Sequence, residues 1–306
     1  MKINRGYSPI NADDSNKKSA FTGVCLRFCF FLCFCCVSAV SIFAQTELDV
    51  LAQKINRGNT EQKRDALFQI RNLKTAEAAR LAVPALSDSS EIVRATAAQA
   101  VRFLPPAEAA PLLVPLLRDK SILVRKEATY ALGKTQNPQA VSTLVEIIQR
   151  DKIQEVKDAA AVALGETGDV SAIDALTRIL QRRPRDEEEF FRRAAARSIG
   201  QIAQLIQTGE PETITPENFL PRELKETTKP VYKNLSAAFP QFRAAVPVLI
   251  QALQNRREPD DARREAAFAL GAIGDDAAIP ALRANLSGKD YYLAEISREA
   301  LEKLSK

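Results

Sequence analysis

Most of the groups suited to catalysis are missing from this 306-residue sequence. Histidine is absent, which excludes Ser-His-Asp and Cys-His devices and imidazole metal sites. The five cysteines, Cys25, Cys29, Cys33, Cys35 and Cys36, lie inside one short apolar run. The rest of the chain therefore has no thiol nucleophile, no disulfide framework and no cysteine metal site. No phosphate-cradling Gly-x-x-x-x-Gly-Lys and no Gly-x-Gly-x-x-Gly is present. Carboxylates remain, densest at Asp186-Glu187-Glu188-Glu189. Arg182, Arg183, Arg185, Arg192 and Arg193 surround that run, so it reads as a solvated mixed-charge face. A glycosidase built on carboxylates alone would also need a deep pocket, which a thin stack of helices does not offer. No catalytic residue, metal ligand or cofactor site is assigned, and the chain is not read as an enzyme.

Charge narrows the partners. Residues 1–44 hold five basic residues against two acidic ones, leaving 38 basic and 36 acidic residues for the remainder. That remainder is nearly neutral and poorly suited to phosphate-dominated binding, so nucleic acid is not expected as a partner. Basic residues do recur in short clusters: Arg118 and Lys120, Arg150 and Lys152, Arg182 to Arg185, Arg256 and Arg257. Asp119, Asp151, Asp186, Glu258 and Asp260 interleave with them, so little net field is expected there.

The N-terminus reads as an address. Phe28 to Ala44 is a 17-residue apolar or small run preceded by Lys17, Lys18 and Arg27, and it ends in Ile42-Phe43-Ala44-Gln45. This is the pattern of a secretory signal peptide over residues 1–45. An uncleaved anchor is the alternative, because seventeen residues is the lower limit for spanning a bilayer. Export to the periplasm or outside is expected, with membrane contact only through residues 28–44 if they are retained. In the alternative the protein stays anchored in the cytoplasmic membrane, with the helical part outside.

Residues 46–306 repeat themselves. Val93, Val124, Val156, Phe191 and Ala262 each open a segment reading apolar, basic, x, x, Ala, x, x, small, aliphatic. Partial copies start at Gln62 and Leu293. From Val93 onward the starts lie 31, 32, 35, 71 and 31 residues apart. Apolar positions at i, i+4, i+7 and i+8 form one helical stripe, and small residues at i+4 and i+7 let a neighbouring helix come close. A second helix is expected after each first one, over Ala140–Gln149, Ala172–Gln181, Ala245–Gln254 and Ile279–Leu286. Gly168 and Gly274 would end first helices, with Asp169 and Asp275 capping the second helices after them. Pro111 and Pro280 are placed in first turns. Thr46-Glu47-Leu48-Asp49 reads as a capping box opening a terminal helix over 46–58. At the other end Leu301 and Leu304 face inward, while Glu302, Lys303 and Lys306 face water.

The unit resembles the short HEAT repeat of the phycobilisome-lyase-like kind, from about Thr60 to the C-terminus. The resemblance implies an all-α fold, an α-solenoid of about six antiparallel two-helix repeats. It also implies that the basic residue near each first-helix start (Lys63, Arg94, Arg125, Lys157, Arg192, Arg263) pairs with an acidic residue between neighbouring repeats. Asp88, Asp119 and Asp151, six residues earlier than Arg94, Arg125 and Lys157, are the candidate partners in this structural ladder.

The 71-residue step places an insertion at about 206–240 within the fifth repeat. Pro211, Pro216 and Pro221 make its first part non-helical, and residues 222–238 could form a short helix ending before Pro240. Phe219, Tyr232, Phe239 and Phe242 are its aromatics. They either bind a partner or staple the insertion down. The expected function is a non-catalytic protein-binding scaffold or adaptor outside the cytoplasm, its partner another protein. The alternatives are a bilin lyase-like enzyme or enzyme subunit and, less favoured, a nucleic-acid-binding HEAT protein.

Overall fold

The computed structural model describes residues 47–209 and 232–304. The expected export segment with its cysteines, Thr46 of the capping box, Lys306, Phe219 and the proline-rich part of the insertion lie outside these residues. The chain divides into two compact units, Met1–Gln53 and Lys54–Lys306. In the first, the described residues, 47–53, are helical and Leu51 is buried; the helix, α1, covers 47–57.

The second unit is helical, with no strand among the described residues. First helices are α2 (Thr60–Leu73), α4 (Glu91–Val101), α6 (Ile122–Lys134), α8 (Gln154–Thr167), α10 (Glu189–Thr208), α13 (Asp260–Ile273) and α15 (Tyr291–Leu304). Second helices are α3 (Ala76–Leu81), α5 (Pro106–Leu113), α7 (Ala140–Arg150), α9 (Ile173–Gln181), α12 (Pro240–Gln254) and α14 (Ile279–Arg283), with the one-turn α11 (Leu235–Ala238) before α12. Each first helix packs on the next first helix along the series. The stripe does this: Val124, Ala128, Ala131 and Leu132 on α6, and Val156, Ala160, Ala163 and Leu164 on α8, are fully buried. No single repeat could hide these side chains alone, so stacking supplies the core.

Small residues set the approach distance. A Cβ built on Gly133 would lie 2.6 Å from the Cα of Ala163, and one on Gly271 would lie 2.7 Å from the Cα of Ala300. Gly165 meets Ser198, and Gly200 meets Phe268 and Ala269. The ninth residue after the starts Val124, Val156, Phe191 and Ala262 thus receives the next first helix. Gly168 and Gly274 end α8 and α13 at φ 68° and 74°, in the left-handed region where a glycine carries no Cβ penalty. Asp169 and Asp275 accept from the Ser171 and Ala277 N–H groups, capping short 3₁₀ turns that lead into α9 and α14.

Prolines redraw three boundaries. Pro106, not Pro111, occupies the first turn of α5; Pro111 lies inside it, and α5 passes into a 3₁₀ segment, Val114–Arg118, carrying Pro115. A short helix does end before Pro240, at Ala238, but Pro240 also opens α12, which begins five residues before the expected start; its fixed φ suits a first helical position. Within 222–238, the described helical residues are only Leu235–Ala238. At the C-terminal end Lys303 is half-buried instead of solvent-facing, with Nζ 5.1 Å from the centre of the Tyr232 ring.

Candidate partner-binding groove

The junctions between repeats carry the charged chemistry of the fold. Asp88, Asp119 and Asp151 each come after a second-helix segment, and one carboxylate oxygen of each accepts the N–H two residues on, from Ser90, Ser121 and Ile153 at 2.8, 2.8 and 2.9 Å. Such Asx turns aim the chain into the next first helix. The carboxylates also receive cations, but not those six residues further along. Lys63 reaches Asp88 at 2.7 Å, Arg94 reaches Asp119 at 2.8 Å and Arg125 reaches Asp151 at 2.8 Å. Each rung therefore points forward to the next junction. Toward its own preceding junction the arginine gives a backbone bond instead: Arg94 to the Asp88 carbonyl at 2.8 Å, Arg125 to the Asp119 carbonyl at 3.0 Å. Sequence distance misled because the second helix runs back antiparallel, bringing the later aspartate beside the arginine.

Beyond Arg125 the ladder changes. Lys157 makes no ion pair among the described residues. Arg192 is buried and pairs with Glu258, while also donating to the Ile179, Leu180 and Arg182 carbonyls at 2.8, 2.9 and 3.0 Å. Arg263 donates to the Leu253 carbonyl and to Asn285, and the neighbouring Arg264 takes Asp290 through two bonds at 3.1 Å. The last rung has moved by one residue.

The described aromatics of the insertion, Tyr232, Phe239 and Phe242, are packing groups. Tyr232 and Phe242 are buried, and Phe239 is half-buried with its ring edge-on to Phe242. The Tyr232 hydroxyl donates to Gln204 Oε1 at 2.8 Å, and the Gln207 amide both accepts from the Lys233 N–H and donates to its carbonyl. One face of α10 thereby holds the returning end of the insertion. Neither Tyr232 nor Phe242 is open to a partner.

An accessible concavity does occur where Val114–Arg118, α7 and the turn 151–153 meet. It has a volume of about 510 Å³. Val114, Leu117, Ile147 and Ile153 give it apolar walls, and Arg118, Arg150 and Lys152 stand on its rim. Asp119 and Asp151 also line it, but their oxygens already hold Arg94 and Arg125. Arg150 meets Glu146 at 2.9 Å; Arg118 and Lys152 make no ion pair among the described residues. Sequence reasoning had the basic clusters but cancelled them against acids that the fold spends internally. Among the described residues no group of three His, Cys, Asp or Glu side chains is placed to hold a metal ion.

Half-buried acids give the array opposing pH responses. The bond from Arg94 holds the Asp119 carboxyl below its ordinary value, and Lys63 does the same for Asp88. Burial pushes the Glu265 carboxyl up despite Arg197 nearby, and its Oε2 has no partner. Stability tied to Asp119 is present above its unfolded pKa and is lost as pH falls through the lowered folded value. The folded Glu265 keeps its proton more tightly than the unfolded one. Its contribution is complete below the unfolded pKa and disappears as pH rises through the folded pKa. Glu265→Gln should therefore raise the melting temperature near neutral pH and change it little in acid. Asp119→Asn should lower it near neutral pH, with a shrinking deficit in acid. Circular dichroism melts across pH read both, and parallel curves for the two variants would refute this assignment.

Two-helix repeats stacked through small residues and cross-linked at their junctions define an α-solenoid. The sequence comparisons name it: HEAT repeats match residues 48–133 and 111–200, together half of the chain, and the protein belongs to that family. The PBS lyase HEAT-like repeat matches residues 262–288. No curated protein matches the sequence. Among solved structures, the chain is similar to an engineered protein at 19% identity and a TM-score of 0.49, covering 85% of this chain and 68% of that one. It is similar to the CpcE and CpcF complex of phycocyanin lyase from Nostoc sp. PCC7120 at 19% identity and 0.46, covering 84% and 94%. A designed armadillo repeat protein in complex with the peptide (KR)4 is 18% identical at 0.43, covering 84% and 99%.

Proposed function

We propose that this protein is a non-catalytic scaffold that holds another protein, acting outside the cytoplasm. The observation that supports holding is the groove beside α7: apolar walls, a cationic rim, and wide access from solvent. Stacked helical repeats present extended surfaces of this kind, and family membership agrees with that use. Fold alone does not assign a function. Export rests on the apolar run from Phe28 to Ala44 behind three basic residues. A photo-crosslinking residue placed at Val114 should yield a discrete adduct in the cell envelope, and one at Glu61 on α2 should not. Equal labelling from both positions, or recovery of the protein in the cytosol, would remove the respective half of the proposal. A second reading, a bilin lyase-like enzyme or enzyme subunit, draws on the repeat matched at residues 262–288. A bilin copurifying with the chain would favour it.

A further inference from the structure

The junction edge is more cationic than its composition suggests. At three junctions the carboxylate that interrupts a basic cluster is already paired with an arginine reaching up from the previous first helix; Asp186, beside Arg182, Arg183 and Arg185, has no such pair among the described residues. Asp119, between Arg118 and Lys120, belongs to Arg94; Asp151, between Arg150 and Lys152, belongs to Arg125. Glu258, next to Arg256 and Arg257, belongs to Arg192. An ion pair sums to zero, so these acids are not available to quench the flanking cations, which are exposed. Consecutive junctions are also neighbours in space. The forward rungs prove it for the second and third, and the groove joins Arg118 to Arg150 and Lys152 in one concavity. Arg192 ties the turn at Arg182 to the one at Glu258.

We infer that this edge binds an extended acidic segment of a partner protein. Its carboxylates meet Arg118, Lys120 and Lys152, and an apolar side chain enters the groove between Leu117 and Ile147. Two features select a polypeptide over a plain polyanion. The apolar walls of the groove need an apolar group to fill them. The cations come in clusters separated by a whole repeat, a spacing suited to acidic residues interleaved with apolar ones. This inference rests on the scaffold reading and specifies its ligand.

The test uses the full chain and a fluorescein-labelled peptide of repeating Glu-Leu-Asp, read by fluorescence anisotropy. The combined Arg118→Ala, Lys120→Ala and Lys152→Ala variant should weaken binding about tenfold, each exposed cation supplying a fraction of a kcal/mol. Because these positions are exposed, the variant should melt like the parent. The matching change of all three to Glu should reverse the preference, so that a Lys-Leu-Arg peptide binds better. Undiminished binding by the Ala variant, or no reversal by the Glu variant, would overturn the inference. So would a short single-stranded oligonucleotide binding as tightly as the acidic peptide. Crosslinking in cells separates the two levels. If the Ala variant still captures the partner that the parent captures at Val114, this edge is wrong and the scaffold reading stands. If the parent captures nothing, the scaffold reading itself falls, and the edge proposal with it.

Discussion

Arg192→Met should destabilise the array by about 3–5 kcal/mol, the range for breaking a buried ion pair on one side. The Arg192 side chain is 1% exposed and that of Glu258 is 2% exposed. Removing the guanidinium leaves a carboxylate buried without a counter-ion. It also strips donors from the carbonyls of Ile179, Leu180 and Arg182. Most of the loss is the penalty of the orphaned Glu258, not the net worth of the pair. A second change, Glu258→Gln, should therefore recover part of what the first removed, with a coupling energy above about 1 kcal/mol. Chemical denaturation of both single variants and the double variant measures that coupling. Simple additivity would show that the two side chains do not act together. The pair also spans 66 positions and encloses the insertion. Hydrogen exchange in α12 and α13 should accelerate more than in α4 and α6, because a repeat array transmits damage mainly to its neighbours.

Gly133→Val should cost about 3 kcal/mol, the upper part of the usual range for overpacking. Two effects compete at this position. Losing a glycine from a helix interior gains up to about 1 kcal/mol. Against it stands the next first helix: an added Cβ lies 2.6 Å from the Cα of Ala163 and 2.8 Å from its carbonyl oxygen. Backbone atoms cannot swing aside as a side-chain end can, so α6 and α8 must separate along their length. The clash wins, and more decisively for a branched side chain than for alanine. Gly288→Ala is the control, since its added Cβ would meet only the Asn285 carbonyl, at 3.3 Å. Thermal melts should place the two variants far apart. A valine variant as stable as the parent would mean that the helices are not held at the spacing described.

The helical stripe was legible because it depends on periodicity, and residues such as Val124, Ala128 and Leu132 fall where it puts them. Gly168 and Gly274 were legible because a left-handed helix end has few alternatives. The partners of the ladder were not. The Asp119 carboxylate is near Arg125 in sequence but receives Arg94, twenty-five positions earlier, and only the return path of the second helix makes that so. The start of α12 was hidden too: a proline cannot continue a helix from before, and α11 does end at Ala238, but Pro240 can also start one. The aromatics of the insertion carried no sign of direction. Tyr232 is interior because Gln204 offers its hydroxyl a partner on α10, a pairing across the insertion that no local pattern reveals. The groove escaped notice because its charge balance depends on which acids are already taken.

Lys157 has a wider consequence. Three rungs, from Lys63, Arg94 and Arg125, fasten the stack up to Asp151; the next fastening is Arg192 to Glu258. Between them α8 and α10 meet through the small surfaces of Gly165 and Ser198 and the bond from Ser198 Oγ to the Ala161 carbonyl at 2.9 Å. The kind of fastening thus changes midway: up to α8 a cation reaches the aspartate of the next junction, whereas α10 is held back to the α9 repeat by Arg192 on the Ile179, Leu180 and Arg182 carbonyls. A load borne by one stretch is handed to the other through these carbonyl bonds and the packing of small residues, without a cation-to-aspartate rung at the joint.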